Sequence, residues 1–429
     1  MALLSLLTVL LLAFVGHVPL VYAKNIVIPG PDSEHKYKPA VASFSLNDQS
    51  RKDAWDTADN RKIMVSVFMP IPEKFCTECA LPYMPDQTAK ISNDQFFGDK
   101  NKGVFEPMQY KACCGASGSV DVSKLSVVVI DPHTDTSRLL YANLARFVSA
   151  NNVVVVLIDH PHDSSIVEFE DKSIAYNSDR TGLSNFSPLT TWNETVRRAV
   201  DIRVKDINLA LDSLSDPATL IRAFPSIKFT SGLDTSAYGI VGHGLGGTVA
   251  TTLGTSDPRA QFSINLSGSS GPLTTKTKRP TYFLGRQNFV RDADINWPEA
   301  WKHLIGPATE FDLQNSEIMD FTDLPVIIEL GKSQDGAKDL KPKAGIVGGQ
   351  GAWGNHAVVC FVEGIIKQEF RIDDKAVSNC IWIFGDERMV PYAARLAPQA
   401  FVEQEAKKSG AMSRRARSIR HVVKKLRWA

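Results

Sequence analysis

Residues 238–248 read Tyr-Gly-Ile-Val-Gly-His-Gly-Leu-Gly-Gly-Thr, an apolar strand that enters a glycine-rich turn, with a helix predicted from Gly246. Nucleophilic hydrolases use a turn of this kind, Gly-x-Ser-x-Gly, to raise a serine hydroxyl above the end of a strand. Gly244 stands at the position of that serine. Because glycine has no nucleophilic atom, this position cannot form an acyl-enzyme. The motif predicts the scaffold of a nucleophilic enzyme without its usual chemistry.

Other polar residues that could do chemistry follow predicted strands, at the edge where ligands bind in open parallel sheets. They are Asp131, His133 and Asp135 after one strand, Asp159, His160, His162 and Asp163 after the next, and His243 in the glycine turn. A neighbouring His and Asp could perform general acid–base catalysis or ligate a metal. We predict His133, Asp135 and His243 as catalytic residues, with no resident metal or cofactor. The turn at Asp159 and His160 is expected instead to lock its loop through hydrogen bonds, and His243 could also be structural.

The elements that would position these residues alternate between short apolar strands and amphipathic helices. Predicted strands cover residues 63–69, 125–130, 153–158, 237–241, 262–266 and 282–284. Predicted helices cover 138–148 and 192–214, where apolar residues recur at helical spacing. Continuous apolar strands that alternate with helices are typical of a mostly parallel sheet with helices on both faces. We therefore predict an α/β fold, with residues 24–120 wrapping the sheet edge and 332–354 forming a long loop.

The composition suits one large globular core. The chain has 429 residues, of which 43% are hydrophobic and 22% charged, and a net charge of +1 gives no reason to expect nucleic-acid binding. Residues 1–23 predict a secretory signal peptide, because an apolar run precedes a small-residue cleavage site, although no Lys or Arg comes before it. An uncleaved membrane anchor is the alternative. We predict a single domain over residues 24–400 and a protein of the secretory pathway, or a secreted one.

Residues 401–429 are predicted to form a basic tail. Residues 407–429 contain nine Lys or Arg and no acidic residue, and Ile419, Val422, Val423 and Leu426 would share one face of a helix. A basic amphipathic helix is typical of contact with a membrane surface or an acidic partner. The alternative is a frayed, solvated tail.

An even number of cysteines in a secreted chain favours disulfides. The six cysteines are Cys76, Cys79, Cys113, Cys114, Cys360 and Cys380. We expect the first four to pair among themselves and Cys360 to pair with Cys380, although a zinc site of four thiolates is an alternative for the first four. Asn185 and Asn193 lie in Asn-x-Ser/Thr triplets and are predicted glycosylation sites, whereas Asn265 ends an apolar strand and is expected to be shielded.

Six segments follow one another along the chain: Arg61-Lys-Ile-Met-Val-Ser-Val-Phe-Met-Pro, Pro82-Tyr-Met-Pro, Leu139-Leu-Tyr, Asp159-His-Pro-His-Asp-Ser, Gly242-His-Gly-Leu-Gly-Gly and Phe321-Thr-Asp-Leu-Pro. In this order and spacing they resemble the platelet-activating-factor acetylhydrolase-like branch of the α/β-hydrolases, in particular its secreted fungal members. The resemblance covers roughly residues 40–330 and implies an α/β-hydrolase fold.

The catalytic residues that the resemblance implies are missing from this chain. The nucleophile falls on Gly244, the acid after the following strand falls on Ser267, and the histidine falls on Ile318, three residues before Phe321. The oxyanion turn of the family, rich in His and Gly, is replaced by the five residues that begin at Asp131, Asp-Pro-His-Thr-Asp. Loss of all three triad positions leaves little of the serine mechanism. Glycine at position 244 is also expected to enlarge the pocket that these three positions line.

The sequence therefore leaves three classes of function open. We expect a protein that has lost ester hydrolysis and that binds or converts a hydrophobic or lipid-like small molecule, for example as a cyclase, isomerase or lyase of fungal secondary metabolism. A protein that only holds its ligand in the reactive orientation can lower a reaction barrier by several kcal/mol. The first alternative is a non-catalytic pseudoenzyme, either a lipid carrier or a regulator of an active relative. The second is a carboxylic-ester or phospholipid acetyl hydrolase with a displaced nucleophile, such as Ser267 or Thr248.

Overall fold

The computed structural model describes residues 25–31, 35–98, 103–116, 119–178, 189–287, 289, 291–333, 339–384 and 389–395. The predicted signal peptide, Asn185, the domain boundaries at residues 23 and 400, and the basic tail lie outside these residues. In the described part, no helix is both long and apolar enough to cross a membrane.

Strands and helices alternate through most of the chain. The strands are β1 (Ile26–Val27), β2 (Tyr37–Lys52), β3 (Asn60–Pro72), β4 (Cys76–Pro82), β5 (Met108–Ala116), β6 (Ser119–Val120), β7 (Ser126–Asp131), β8 (Val153–Asp159), β9 (Ile166–Glu168), β10 (Ile174–Tyr176), β11 (Lys228–Phe229), β12 (Tyr238–His243), β13 (Ala260–Leu266), β14 (Thr281–Arg286), β15 (Ala308–Leu313) and β16 (Met389–Arg395). The helices are α1 (Asp86–Phe96), α2 (Ala142–Ser149), α3 (Glu194–Leu214), α4 (Pro217–Ala223), α5 (Leu245–Ser256), α6 (Trp297–His303), α7 (Leu324–Lys332), α8 (Gly351–Glu369) and α9 (Ala376–Phe384). Short 3-10 helices cover Glu73–Phe75, Val122–Lys124, Arg138–Tyr141, Arg291–Ala293 and Ile318–Phe321.

A nine-stranded mixed sheet runs through the molecule in the order β2-β3-β8-β7-β12-β13-β14-β15-β16. The central strands from β8 to β15 in this order are parallel, while β2, β3 and β16 pair antiparallel at the two edges. This strand order, with helices packed on both faces, is an α/β-hydrolase fold, as the sequence predicts.

Both faces of the central strands are buried, and this explains their continuous apolar sequences. In β7, Val128 and Ile130 pack in the core that contains α2 and α8, whereas Val127 and Val129 pack in the core that contains α3 and α5. Because successive side chains of a strand point to opposite faces, each strand contributes to two hydrophobic cores. These cores hold the sheet in place beneath the loops at its carboxyl edge.

The chain order of the strands creates a crevice at that edge. After β8, the chain returns to the other side of β7 and enters the sheet as β12. The connections that leave β7 and β12 therefore diverge, and such a switch point is where ligands bind in open α/β sheets. Residues 132–135 follow β7 and Gly244 follows β12, so the fold brings these two segments together at the crevice.

The cysteines pair as the sequence predicts. Cys76–Cys113 and Cys79–Cys114 cross-link the antiparallel strands β4 and β5, and Cys360–Cys380 joins α8 to α9. None of the six cysteines is free, so the alternative of a four-thiolate zinc site is wrong. The prediction that residues 24–120 wrap the sheet edge needs a correction, because β2 is itself the edge strand of the main sheet and β3, longer than the predicted strand 63–69, lies between β2 and β8.

Candidate active site

Gly244 forms a strained turn between β12 and α5, as the glycine motif predicts. It is the N-cap of the helix, with φ 55° and ψ −117°, a conformation that L side chains rarely adopt. Its N–H donates to the Leu266 carbonyl of the neighbouring strand β13 at 2.9 Å. The turn is so closely packed against the end of β7 that a Cβ added to Gly246 would lie only 2.1 Å from the Asp131 carbonyl oxygen. The geometry of a nucleophile elbow is therefore present without a nucleophile.

The space that a residue-244 side chain would occupy contains the imidazole of His133. A Cβ added to Gly244 would lie 2.2 Å from His133 Nδ1 and 2.4 Å from its Cγ. His133 is fully buried. The expectation that glycine enlarges the pocket at this point is therefore wrong, because a side chain from the loop after β7 fills the volume.

His133 Nδ1 also accepts the backbone hydrogen bonds that a serine hydrolase uses for its oxyanion. The Leu245 N–H donates to Nδ1 at 3.2 Å and the Thr134 N–H donates to it at 2.8 Å. In the α/β-hydrolase fold, the oxyanion hole consists of the N–H after the nucleophile and an N–H from the loop after an earlier strand. Leu245 and Thr134 hold these two positions. The chain therefore fills its own oxyanion hole with a ring nitrogen.

The hydrogen bonds assign a neutral tautomer to both buried histidines. Because His133 Nδ1 accepts two N–H groups, its proton is on Nε2, which has no hydrogen-bond partner in the part of the chain that the structure describes. The Tyr141 hydroxyl accepts the His133 backbone N–H at 3.0 Å, so its own proton goes to His243 Nδ1 at 2.7 Å. The proton of His243 is then on Nε2 as well.

Burial keeps both rings uncharged. Desolvation, with the positive charges of neighbouring groups, lowers the pKa of His133 well below its usual value. Desolvation and the Arg286 charge lower the pKa of His243 to about 3, although the Ile318 backbone favours its charged form. Neither ring offers a free nitrogen lone pair for removing a proton. In these tautomers each ring accepts at Nδ1 and donates from Nε2, and a catalytic role for His133 and His243 stays a prediction.

The predicted pair of His133 and Asp135 is not formed. Asp135 is partly exposed, has a positive φ of 53°, and accepts a hydrogen bond from the Asn177 amide at 2.7 Å. Burial raises the pKa of its carboxyl, with Asn177 acting in the opposite direction. Two residues in a tight turn point apart here because the His133 ring is held towards Leu245. A catalytic role for Asp135 has no support from a contact with His133.

The three substituted triad positions lie near one another at the carboxyl edge. Ser267 follows the last residue of β13, and a Cβ added to the next residue, Gly268, would lie 2.1 Å from the Gly244 carbonyl oxygen. Ser267 Oγ accepts a hydrogen bond from Arg286 Nη1 at 2.6 Å. Ile318 begins the 3-10 helix Ile318–Phe321, is buried, and its backbone acts on His243. The structure thus brings the three residues near one another with no acid or base among them, and their correspondence to a catalytic triad stays a prediction.

A buried network of charges, which sequence reasoning missed, supports the loop that carries His133. His160 Nε2 and Nδ1 contact Asp131 and Asp206 at 2.7 and 2.8 Å. Arg203 contacts Asp131 and Asp163 at 3.2 and 2.7 Å and donates to the Pro132 carbonyl. These contacts fix both sides of Pro132. The locking role predicted for the turn at His160 agrees with this geometry.

Arg61 completes this network from strand β3. It contacts Asp53 at 2.7 Å and Asp206 at 2.5 Å, and it is fully buried. Both buried arginines interrupt apolar patterns, Arg61 at the start of a strand and Arg203 on the buried face of α3. A charge on an apolar face is the signal by which the sequence could have revealed them, because such a charge needs a buried partner.

Two further predicted features have defined surroundings. Asn265 is buried and bonds to the Gly268 N–H at 2.9 Å, so it is shielded as expected. Asn193 is exposed and caps α3 by accepting the Val196 N–H, and its glycosylation stays a prediction. Among the described residues, no group of three or more His, Cys, Asp or Glu side chains is arranged to hold a metal ion.

Comparisons with known proteins agree with the fold. No protein-family model matches the chain. The chain is 26% identical over 345 residues to a protein of Arthroderma benhamiae named "Probable 1-alkyl-2-acetylglycerophosphocholine esterase", covering 75% of this chain and 81% of that protein. The solved structure of a ferulic acid esterase from Streptomyces cinnamoneus superposes with a TM-score of 0.62 at 23% identity, covering 81% of this chain and 94% of the other. The first similarity supports the resemblance to the acetylhydrolase-like esterases, and the second supports the α/β-hydrolase fold.

Proposed function

We propose that this α/β-hydrolase-fold protein has lost serine-dependent ester hydrolysis and that it binds a hydrophobic or lipid-like small molecule. The observation that carries the proposal is the position of the His133 ring. It stands where the nucleophile would project and accepts the N–H groups of Leu245 and Thr134. A substrate carbonyl cannot enter the same volume or take the same two donors.

The proposal does not depend on the missing triad alone. When triad residues are removed from a serine hydrolase, the oxyanion hole and substrate binding still give a residual rate of about 10³–10⁴ over water. Here the oxyanion donors are already satisfied by His133, so this residual contribution is blocked as well. The position of the acid holds Ser267, which bonds to Arg286 and not to a histidine.

The class of ligand is inferred from the relative, and the cellular compartment is inferred from the disulfides. The printed name of the Arthroderma benhamiae protein describes an esterase for an alkyl-acetyl-glycerophosphocholine, which is a lipid. A descendant of such a fold that no longer cleaves its ligand would retain a lipid-like preference. Three disulfides fit an oxidising compartment, so we also propose that the protein functions in the secretory pathway or outside the cell. Contact of the basic tail with a membrane surface remains a further proposal.

Conversion of the ligand without an acyl-enzyme is the second candidate. The observation in its favour is the pair of buried, neutral imidazoles of His133 and His243, whose ring centroids lie 5.2 Å apart and of which His133 has no partner for Nε2 among the described residues. Two N–H donors could hold a ligand carbonyl and polarise it without adding water. Conversion of a polyene or another reactive molecule, with no gain of water in the product mass, would distinguish this candidate from a carrier.

Ester hydrolysis by a displaced nucleophile is the remaining candidate, and the names of both similar proteins favour it. A serine or threonine needs a general base within hydrogen-bond distance. Ser267 Oγ is held by Arg286, and Thr248 Oγ1 donates to the Ser269 carbonyl at 2.8 Å. Neither hydroxyl makes a hydrogen bond to a histidine within the described ranges.

We expect the purified protein to hydrolyse 4-nitrophenyl acetate and butyrate no faster than the same protein after heat denaturation. The His133→Ala variant should be equally inactive, because it frees the oxyanion donors without supplying a nucleophile. The measurement is the saturable initial rate of nitrophenolate release. A saturable rate that Ser267→Ala or Thr248→Val abolishes would instead establish the displaced-nucleophile esterase.

A further inference from the structure

An apolar cavity opens at the edge of the sheet that lies opposite the glycine turn. It has a volume of about 210 Å³, and most of its lining residues are apolar or aromatic. It lies where β2 begins at Tyr37, β3 ends at Pro72 and β5 ends at Ala116. Leu125 and Asn152 also line it, and they directly precede β7 and β8. The cavity is therefore at the amino ends of the parallel strands, whereas the glycine turn is at their carboxyl ends.

The inner part of the cavity belongs to one of the two large hydrophobic cores. Ile71 and Leu125 are buried in the core that contains α3 and α5. Ala116 and Val120 are partly buried and pack against the same core. The cavity is thus an opening of this core towards the surface, and an apolar ligand in it would contact core side chains.

An aromatic ring stands at the mouth of the cavity. Phe75 lines the cavity although 40% of its surface is exposed. It belongs to the 3-10 helix Glu73–Phe75, none of whose residues is buried, and Lys74 Nζ lies 4.7 Å from the centre of its ring. A ligand in the cavity would remove part of this ring from water, which favours binding of an apolar group.

The charged residues that line the cavity compensate one another. Lys124 Nζ pairs with the Asp121 carboxylate at 3.2 Å, and both side chains are at least half exposed. Asn152, the other polar residue of the lining, has no charge. A charged ligand would therefore lose hydration in the cavity without gaining an unpaired partner among the described lining residues. An uncharged ligand fits this lining better.

The volume limits the length of such a ligand. The cavity of about 210 Å³ equals roughly seven water molecules at the density of the liquid. Because a methylene group takes nearly the volume of a water molecule, an unbranched chain of roughly seven or eight carbons fills it. The space over Gly244, by contrast, is filled by the His133 ring.

We infer that this cavity binds the alkyl chain of an uncharged amphiphile of medium length, whose polar end lies at the mouth beside Asp121 and Lys124. The inference rests on the proposed function, since it places the ligand of a protein that binds a hydrophobic molecule without hydrolysing it. The ligand is then at the opposite edge of the sheet from the substituted triad positions. Its binding does not need the space that His133 fills.

Calorimetric titration of the whole protein with octanol, butanol, octanoate and octylamine at neutral pH tests the ligand class. Octanol should bind about tenfold or more tightly than butanol, because its additional methylene groups leave water. It should also bind more tightly than octanoate and octylamine, because the cavity compensates neither of their charges.

Two variants test the location of the site. Ala116→Leu should weaken octanol binding by about tenfold or more, because the larger side chain takes up part of the cavity. Phe75→Ala should weaken it by about threefold or more, because less apolar surface covers the chain. Tyr176→Ala is the control. It removes an aromatic ring that is 53% exposed on β10, outside the cavity, and should leave octanol binding unchanged.

Three results would overturn the inference. They are an absence of saturable octanol binding, tighter binding of octanoate or octylamine, and an octanol affinity in Ala116→Leu or Phe75→Ala equal to that of the wild type. If Ala116→Leu fails to fold, Phe75→Ala decides, because Phe75 is not part of a buried core. Ester turnover is measured separately and would overturn the proposed function instead, so the two failures are distinguishable.

Discussion

Replacing Gly244 with serine is expected to destabilise the protein by about 3 kcal/mol or more and to create no esterase activity. The new Cβ would overlap His133 Nδ1, at 2.2 Å, on a backbone with a φ of 55°. Displacing the ring would leave the buried N–H groups of Thr134 and Leu245 without their acceptor. An unpaired buried donor costs about 1–3 kcal/mol. The measurement is the free energy of unfolding in denaturant.

Gly345→Ser is the matched control for this substitution. Gly345 has a φ of +75° and no atom within 4 Å of an added Cβ, so serine there pays only backbone strain of about 1–2 kcal/mol. In the His133→Ala background, Gly244→Ser should lose its excess effect and resemble the control. If Gly244→Ser is as stable as Gly345→Ser in the wild-type background, the His133 ring does not occupy the nucleophile position.

Restoring the other two positions should not rescue the serine. The triple variant Gly244→Ser, Ser267→Asp, Ile318→His would contain the residues of a triad, but His133 would still fill the oxyanion hole. This expectation follows from the position of the His133 ring in the structure, which the identities of the three substituted residues do not reveal.

Replacing Asp206 with asparagine is the second large effect, with an expected loss of about 3–5 kcal/mol in the free energy of unfolding. Asp206 is fully buried and contacts Arg61 at 2.5 Å, Arg51 at 2.6 Å and His160 at 2.8 Å. Asparagine has a similar shape but no charge, so Arg61 would remain buried with one remaining acidic partner, Asp53. Removing one partner of a buried ion pair lowers the stability strongly, because the other charge stays buried without compensation, whereas replacing the whole pair with apolar residues is often neutral.

Asp201→Asn on the same helix is the control. Asp201 pairs with Lys205 at 2.6 Å on the exposed face of α3, where such a pair contributes about 0.3–0.5 kcal/mol. A loss in Asp206→Asn no larger than in Asp201→Asn would contradict the account of the network.

The difference between wild type and Asp206→Asn should also depend on pH. Burial raises the pKa of Asp206, but Arg61 and His160 outweigh it and lower the pKa below its usual value. This contribution is therefore present above the unfolded pKa of about 3.9 and is lost as the pH falls. Burial lowers the pKa of His160, but Asp131 and Asp206 raise it overall, so its contribution is present below about pH 6.5 and is lost as the pH rises through the raised pKa. The difference should be largest between about pH 4 and 6.5.

The sequence predicts the frame of the site better than its contents. The strands that lead to Gly244, Ser267 and the loop after Asp131 are short and apolar because both of their faces are buried. This pattern can be recognised in the sequence. The position of the His133 ring could not be predicted from the sequence. It depends on the Leu245 N–H, which is distant in the chain and becomes a hydrogen-bond partner only after folding.

The edge strands were also difficult to predict. β2 contains Asn, Asp, Gln, Ser, Arg and Lys in its second half because an edge strand is partly exposed, and this removes the apolar run that marks a central strand. The pairing of Cys360 with Cys380 was predictable, whereas the two pairings across β4 and β5 depended on the register of that hairpin.

We propose that no serine in this protein acts as an activated nucleophile and that His133 fills the place of one. The most direct measurement is the intact mass of the purified protein after incubation with a fluorophosphonate, beside an active serine esterase treated in the same way. We predict complete labelling of the esterase and no mass increase in this protein, either as wild type or as His133→Ala. A stoichiometric phosphonyl adduct on a serine or threonine of the wild-type chain would contradict the account.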